Sequence, residues 1–92
     1  MSRAGADIRV RGDVQGVGYR YFCYTRATAL GVSGWVKNLV DGSVVVYAEG
    51  DRSVVEALIE ELKVGPRHAT VSDVEVRWST FTGKHHSFQI SR

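Results

Sequence analysis

The sequence predicts an α+β fold of the ferredoxin-like type, in which two helices pack on one face of an antiparallel sheet. Several stretches alternate apolar and polar residues with the period of a half-buried strand, and two stretches between them have helical periodicity. Their order along the chain is βαββαβ followed by a short terminal strand, which is the split βαβ arrangement. Because crossovers in a sheet are right-handed, we expect strands 1 and 3 in the centre and the strand order 4-1-3-2.

The first strand and the first helix are separated by a turn that contains glycine. Ile8 and Val10 alternate with polar residues, which predicts a strand over residues 7–14. Helical spacing predicts the first helix over residues 21–30, and Gly31 is a suitable C-terminal cap. The apolar face of this helix consists of Phe22, Cys23, Ala27 and Leu30.

A β-hairpin is predicted after the first helix. Its two strands cover residues 33–39 and 43–49, and the Asp41-Gly42 pair between them is typical of a tight hairpin turn. The period-2 pattern of the second of these strands indicates that one of its faces is buried. The residues that share this face are Val44, Val46 and Ala48.

The second helix and the last strands complete the pattern. Asp51 is a good N-cap for a helix that ends at Gly65. An apolar stripe along this helix consists of Val54, Val55, Leu58, Ile59 and Leu62. Alternation of apolar and charged residues predicts a fourth strand over residues 71–78, and a short final strand carries Phe88 and Ile90.

Length and composition indicate one globular domain. The 92 residues suffice for a modest core, which we assign to residues 7–92, and we expect residues 1–6 to form a flexible N-terminal tail. The net charge of +2 does not suggest a protein that coats nucleic acid and mildly favours anionic small molecules. Cys23 is the only cysteine, and no apolar run is long enough for a signal peptide or a membrane span. We therefore expect a cytoplasmic monomer without nucleic-acid or membrane partners.

The most informative stretch is residues 10–20, Val-Arg-Gly-Asp-Val-Gln-Gly-Val-Gly-Tyr-Arg. It places a strand, a turn with Gly16 and Gly18, and a helix start in succession. Glycines let the backbone adopt positive φ, so successive N–H groups can point at one spot, and the helix start adds unpaired N–H groups. Arg20 offers a planar donor fork that matches phosphate oxygens. These residues alone allow either an anion site or a tight turn beside a solvated arginine.

Two other kinds of phosphate loop do not fit this stretch. A Walker A loop requires Gly-Lys-Ser or Gly-Lys-Thr, whereas Gly18 is followed by Tyr19 and Arg20. A dinucleotide-binding fingerprint requires a third glycine at position 21, which is Tyr21 in this chain. Neither a P-loop nucleoside triphosphatase nor a dinucleotide-binding protein is therefore predicted.

Two motifs resemble signatures of the acylphosphatase family. The first is Val10-x-Gly12-x-Val14-Gln15-Gly16-Val17-Gly18-Tyr19-Arg20. The second is Gly34-Trp35-Val36-Lys37-Asn38, followed by Gly42-x-Val44 and Gly50. The resemblance extends from about residue 8 to the C-terminus, and both motifs occur in the expected order. One departure is Tyr19, at a position where phenylalanine is commoner in the family, and we expect it to act as an apolar support residue.

The resemblance implies hydrolysis of small-molecule acyl phosphates to a carboxylate and inorganic phosphate. In the family, the loop after the first strand and the arginine that closes it hold the phosphate. In this chain these are Arg20 and the backbone of Gln15, Gly16, Val17, Gly18 and Tyr19. The catalytic asparagine of the family corresponds to Asn38, which positions the attacking water. The family shares the ferredoxin-like fold, and the resemblance implies no metal and no cofactor.

Two other classes of function remain open. One is a non-catalytic module that binds phosphate with the same loop, although holding a phosphate does not require an amide at Asn38 to position water. The other is a relative of the acylphosphatase-like domains found in larger carbamoyl-transfer proteins. No zinc-finger pattern or further domain occurs within the 92 residues, which favours the acylphosphatase interpretation.

Other reactive or aromatic residues have structural interpretations. Cys23 follows Arg20 on the helix and shares its apolar face, so we expect a core residue and not a phosphatase nucleophile. Neighbouring residues on a strand point to opposite faces, so His85 and His86 are not expected to share a metal ion. The first strand has no aromatic residue, which argues against a stacking platform for nucleic acid.

Overall fold

A computed structural model describes residues 2–92 and contains five strands and two helices in the predicted order. Their bounds are β1 Arg3–Asp13, α1 Tyr19–Leu30, β2 Ser33–Asn38, β3 Val44–Asp51, α2 Arg52–Val64, β4 Thr70–Ser79 and β5 Phe88–Ile90. The strand order in the sheet is β4-β1-β3-β2-β5, which confirms the predicted order 4-1-3-2 and adds β5 beside β2. Within the described part of the chain, no helix is both long and apolar enough to cross a membrane.

The sheet is mixed because its last strand is parallel to its neighbour. The pairs β4-β1, β1-β3 and β3-β2 are antiparallel, as predicted, whereas β5 pairs parallel to β2. The strands β4 and β5 lie at opposite edges, so their connection crosses the whole sheet and then reverses direction. The prediction of an entirely antiparallel sheet is therefore wrong at this one edge.

The first strand begins four residues earlier than predicted. Residues 3–6, which we expected in a flexible tail, pair with the last residues of β3, and Ala4 and Ala6 are buried. Met1 lies outside the described residues. The small side chains are required here, because a Cβ at Gly5 would lie 2.6 Å from the hydroxyl of Tyr47. The sequence pattern missed this segment because alanine and glycine are poor strand formers outside such a packing context.

The core lies between the helices and one face of the sheet. Alternate residues of β1 and β3 point into it, which follows from the period of two along a strand. The buried apolar residues of the sheet and of α2 include Ala6, Ile8, Val10, Val36, Val44, Val46, Ala48, Val55, Leu58, Ile59 and Leu62. The apolar stripe predicted for α2 is thus confirmed as its buried face, with Val54 at its margin.

Three strands end at the same end of the sheet. The strands β1 and β2 both pair antiparallel with β3, so they run in the same direction, and Val10 and Asn38 lie opposite Val44 from its two sides. Because β5 is parallel to β2, its last residue, Ile90, also lies toward this end, opposite Val36. The turn after β1, the end of β2 and the C-terminal segment are therefore brought together.

The opposite face of the sheet is partly covered by the connection between β4 and β5, which is held by Glu49. The carboxylate of Glu49 accepts hydrogen bonds from the Tyr47 hydroxyl at 2.6 Å, from the Thr82 hydroxyl at 2.8 Å and from the Gly83 N–H at 3.1 Å. The His85 ring packs on Tyr47 with ring centroids 5.3 Å apart. Burial alone would raise the pKa of Glu49, but these hydrogen bonds outweigh it and lower the pKa to about 2.

We expect Glu49→Gln to destabilise the protein by about 1.5–3 kcal/mol at pH 7, because an amide cannot accept all the hydrogen bonds that reach the carboxylate. The lowered pKa of Glu49 means that its ionised form contributes stability above the ordinary pKa of 4.5, and that this contribution is lost as the pH falls toward about 2. The stability difference between wild type and variant should therefore shrink between pH 5 and pH 2.

Urea denaturation at a series of pH values measures this difference. Glu60→Gln is the matched control, since Glu60 is exposed on α2 and pairs only with Lys63. The control should change stability by no more than about 0.5 kcal/mol. A Glu49→Gln protein as stable as wild type at pH 7 would show that the carboxylate does not hold the connection.

Candidate active site

The turn between β1 and α1 is shaped by two glycines with left-handed backbone conformations. Gly16 has φ 75° and Gly18 has φ 78°, and Gly18 is the N-cap of α1. A Cβ at either position would meet nothing within 4 Å, so backbone conformation and not lack of space requires glycine here. The glycine loop, residues 14–18, therefore brings the chain into α1 with its backbone exposed.

We expect Gly16→Ala to destabilise the fold by about 1–2 kcal/mol through left-handed strain and to lower turnover by about tenfold or more, because the loop backbone would shift. Gly31→Ala is the matched control. Gly31 also has a left-handed φ of 75° and open space around it, but it caps the far end of α1. Equal losses of stability with a loss of turnover only in Gly16→Ala would support a functional loop, whereas equal turnover in both variants would contradict it.

The glycine loop forms one side of a hollow of about 200 Å³. The predicted site residues Arg20 and Asn38 both line this hollow, although 18 positions separate them in the sequence. The residues that line the hollow are Val14, Gly16, Gly18, Tyr19, Arg20, Tyr21, Asn38 and Ile90. A strand end, a helix N-terminus and a C-terminal segment therefore converge on one small cavity.

Arg20 is half-buried in this hollow, and its positive charge is not neutralised. Its Nη1 donates a hydrogen bond to the backbone carbonyl of Ser91 at 3.4 Å. None of the ion pairs found among residues 2–92 includes Arg20. The guanidinium thus has one orienting contact and retains N–H donors for an anion in the hollow.

Asn38 ends β2, and its side chain contains an unsatisfied polar atom. Its Oδ1 is buried and has no hydrogen-bond partner among the described residues. An unpaired buried acceptor usually costs about 1–3 kcal/mol, so proteins seldom keep one without a reason. Because Asn38 also lines the hollow, its side-chain amide lies beside any anion that binds there.

Gln15 links the glycine loop to the hairpin between β2 and β3. Its Nε2 donates to the backbone carbonyls of Leu39 at 2.7 Å and Ser43 at 2.8 Å. The turn of this hairpin is itself held by Asp41, which accepts hydrogen bonds from the N–H and hydroxyl of Ser43. Because the hairpin follows Asn38 directly, the Gln15 hydrogen bonds fix the position of the glycine loop relative to Asn38.

The predicted loop residues therefore divide into two groups. Gly16, Gly18 and Tyr19 line the hollow, whereas Gln15 and Val17 do not. The Gln15 side chain is turned toward the hairpin, and Val17 packs against the core.

Tyr19 does more than the apolar support predicted from the sequence. Its side chain is buried, and its hydroxyl donates a hydrogen bond of 2.6 Å to the carbonyl of Leu62 in the last turn of α2. Such carbonyls lack a partner within their own helix. Burial raises the pKa of Tyr19, so the hydroxyl stays protonated and remains a donor. This contact joins the start of α1 to the end of α2 behind the hollow.

The other candidate groups lie outside the hollow. Cys23 is fully buried, and burial raises its pKa to about 12, which confirms a core residue and leaves too little thiolate for a nucleophile. In the part of the chain that the structure covers, no three His, Cys, Asp or Glu side chains are grouped to hold a metal ion. Trp35 and Tyr47 stack on β2 and β3, and β1 adds no aromatic residue to them.

Sequence reasoning missed the contribution of the C-terminal segment. Ile90 lines the hollow, and the Ser91 carbonyl orients Arg20. Neither residue belongs to a motif, and both reach the site only because β5 adds to the sheet next to β2. An isoleucine at the end of a predicted edge strand was the only available signal.

Comparison with known proteins gives a consistent result. A family model described as acylphosphatase matches residues 6–90. A protein of Caldanaerobacter subterraneus subsp. tengcongensis named acylphosphatase is 48% identical over 83 residues, which are 90% of this chain and 92% of that protein. The crystal structure of acylphosphatase from Bacillus subtilis superposes with a TM-score of 0.94 at 38% identity and covers 97% of this chain and 99% of that one. The fold also resembles 12% of full-length HypF, with a TM-score of 0.85, 26% identity and 99% of this chain covered.

Proposed function

The chain belongs to the acylphosphatase family, hydrolases that act on acid anhydrides, and we propose that its catalytic site is the hollow that contains Arg20 and Asn38. The substrates are small acyl phosphates, which are split into a carboxylate and inorganic phosphate. The observation that carries the site assignment is that Asn38 lines the same hollow as Arg20, whose guanidinium has no anionic partner among residues 2–92.

The reaction makes modest chemical demands, which these residue types meet. The leaving group is a carboxylate whose conjugate acid has a pKa of about 4, so no general acid is needed. The remaining requirements are to neutralise phosphoryl charge and to align a water in line with the bond that breaks. A hollow with a guanidinium, exposed backbone N–H groups and one amide can supply both.

In the proposed mechanism, Arg20 and the backbone of the glycine loop hold the phosphoryl oxygens. The side-chain amide of Asn38 forms a hydrogen bond with a water molecule and places the water oxygen for attack on phosphorus. The new P–O bond forms as the bond to the acyl oxygen breaks, and the acyl oxygen leaves as a carboxylate. The amide does not take the proton, which passes from the attacking water to a phosphate oxygen of the substrate.

Hydrolysis of benzoyl phosphate by the purified protein tests this assignment. We expect release of benzoate and inorganic phosphate in equal amounts, with inhibition by free phosphate at the same site. Failure to turn over any acyl phosphate, together with tight phosphate binding, would favour the non-catalytic binding module. The position of Asn38 on the hollow favours catalysis, because binding a phosphate does not require an amide that positions water.

We expect a metal chelator to leave turnover of benzoyl phosphate unchanged, because the guanidinium and N–H groups provide the charge stabilisation that a metal ion would otherwise supply. The measurement is kcat/KM before and after incubation with EDTA and dialysis. A heat-treated sample with identical chelator serves as the background for spontaneous hydrolysis. A large loss that zinc or magnesium restores would contradict the proposed mechanism.

The likeness to HypF bears on the third class of function, in which the chain is related to a domain of a larger protein. This chain matches 12% of that protein's length, whereas it matches 92% of the acylphosphatase from Caldanaerobacter. The sequence identity is also higher to the latter, 48% against 26%. Both comparisons favour an enzyme that acts on small acyl phosphates.

We further propose that the protein acts as a monomer in the cytoplasm. The sole cysteine, Cys23, is buried as a free thiol, which is compatible with a reducing compartment. Size-exclusion chromatography with light scattering measures the oligomeric state. A mass of about 10.2 kDa is expected for the monomer, and twice that mass would contradict the proposal.

A further inference from the structure

Exposed apolar side chains are concentrated at the mouth of the hollow. Among residues 2–92, the large apolar side chains that are exposed are Tyr21, Tyr24, Val40, Val64 and Ile90. Two of them, Tyr21 and Ile90, line the hollow, although their exposed fractions are 68% and 42%. Tyr24 stacks on Tyr21, with ring centroids 6.3 Å apart and an angle of 28° between the ring planes. Single exposed apolar residues are common on protein surfaces, but three of them at one small cavity indicate a contact with a ligand.

The hollow therefore combines two kinds of lining. Arg20 and the backbone of the glycine loop offer N–H donors to an anion, whereas Tyr21 and Ile90 offer apolar surface whose removal from water is favourable. A simple acyl phosphate divides in the same way, because its phosphoryl group is charged and its acyl group is not. The two kinds of lining thus match the two parts of such a substrate.

The volume of the hollow limits what it can enclose. At about 200 Å³ it is smaller than the pockets that enclose most organic ligands, which measure about 300–1,000 Å³. With the phosphoryl group at Arg20, the acyl group of a larger substrate must therefore extend toward the exposed part of the lining. Tyr21 follows Arg20 directly at the start of α1, and the acyl carbon is only two bonds from phosphorus. The Tyr21 ring is thus within reach of the acyl group.

The Tyr21 ring is supported for such a contact. Tyr24 lies three residues further along α1, the spacing that brings side chains together on one face of a helix. A stacked partner restricts the orientations of the ring, so less conformational freedom is lost when a ligand contacts it. A tyrosine side chain also offers a large flat surface with only two rotatable bonds.

We propose that Tyr21 determines the acyl specificity of this site: its ring contacts the acyl group and favours acyl groups with a flat apolar face, such as benzoyl, over acetyl. This inference rests on the proposed function, because the phosphoryl group must occupy the hollow for the acyl group to reach the ring. Ile90 adds apolar area without a flat face, so the discrimination between acyl groups depends mainly on Tyr21.

The ratio of kcat/KM for benzoyl phosphate to kcat/KM for acetyl phosphate tests this inference. We expect Tyr21→Ala to lower the ratio by about three- to tenfold, the usual effect of one aromatic contact, and Tyr21→Phe to retain it because the ring remains. Val64→Ala is the matched control and should leave the ratio unchanged, since Val64 is exposed at the end of α2 and does not line the hollow. An unchanged ratio in Tyr21→Ala would overturn the inference. An equal fall in both kcat/KM values would also overturn it, because the ring would then only support the glycine loop.

Binding of non-hydrolysable analogues separates failure of this inference from failure of the proposed function. In benzoylphosphonate and acetylphosphonate, a P–C bond replaces the P–O bond that breaks in the substrate. Calorimetry should show that wild type binds benzoylphosphonate about three- to tenfold more tightly than acetylphosphonate, and that Tyr21→Ala loses this preference. A preference as strong in Tyr21→Ala as in wild type would overturn the inference alone. Absence of turnover of both acyl phosphates by wild type would overturn the proposed function.

Discussion

Replacement of Asn38 by alanine is expected to lower kcat for benzoyl phosphate by about 10²–10³-fold, the usual cost of losing one pre-organised group that acts in the transition state. KM should change little, because the phosphoryl group is held by Arg20 and the glycine loop. A loss confined to kcat would indicate an interaction made only in the transition state, as expected for an amide that aligns water.

Stability provides an independent control for the Asn38→Ala variant. The Oδ1 of Asn38 is buried and has no hydrogen-bond partner among residues 2–92, so its removal should leave the free energy of unfolding unchanged or slightly raised. Urea denaturation measures this quantity. An inactive variant as stable as wild type fits a residue kept for catalysis, whereas near-wild-type kcat in Asn38→Ala would exclude the proposed role.

Replacement of Arg20 by alanine is expected to lower kcat/KM for benzoyl phosphate by at least about 10²–10³-fold and to abolish inhibition by inorganic phosphate. Among residues 2–92, the guanidinium forms one hydrogen bond, to the Ser91 carbonyl, so most of its donors are available to the phosphoryl group. Arg20→Lys retains the charge but lacks the planar fork, and we expect it to recover only part of the loss.

The matched control for this variant is Arg26→Ala on the same helix. Arg26 is half-exposed, pairs with Glu61 and does not line the hollow. Its removal should leave kcat/KM within about twofold of wild type, since surface ion pairs contribute little. If Arg20→Ala were inhibited by phosphate as strongly as wild type, the anion would have to be held elsewhere.

The local elements of the fold were largely predictable from short-range patterns. The Asp41-Gly42 pair predicted the hairpin, and Gly31 and Gly65 marked the ends of the two helices, as the structure confirms. Each of these signals depends on backbone conformation over a few residues. Segments that depend on distant partners were harder to predict. Residues 3–6 are an example, because their place in β1 follows from pairing with residues 48–51 of β3.

The site residues that belong to a motif could be predicted from the sequence. Arg20 and Asn38 were assigned from two separate motifs, and the fold places both on one hollow. The motifs gave no information on which distant groups the supporting side chains bind. The Gln15 amide that binds the hairpin and the Tyr19 hydroxyl that binds α2 act on chain segments 24 to 43 positions away.

The sequence by itself determined the order of the elements, the glycines that require positive φ and the two motifs that contain the reactive groups. Only the tertiary structure decided that β5 lies parallel to β2, that Ile90 lines the hollow and that the Ser91 carbonyl orients Arg20. The physical reason is the range of the interactions. Backbone conformation and capping are set by neighbouring residues, whereas cavities form where strands distant in sequence are paired by the burial of a common core.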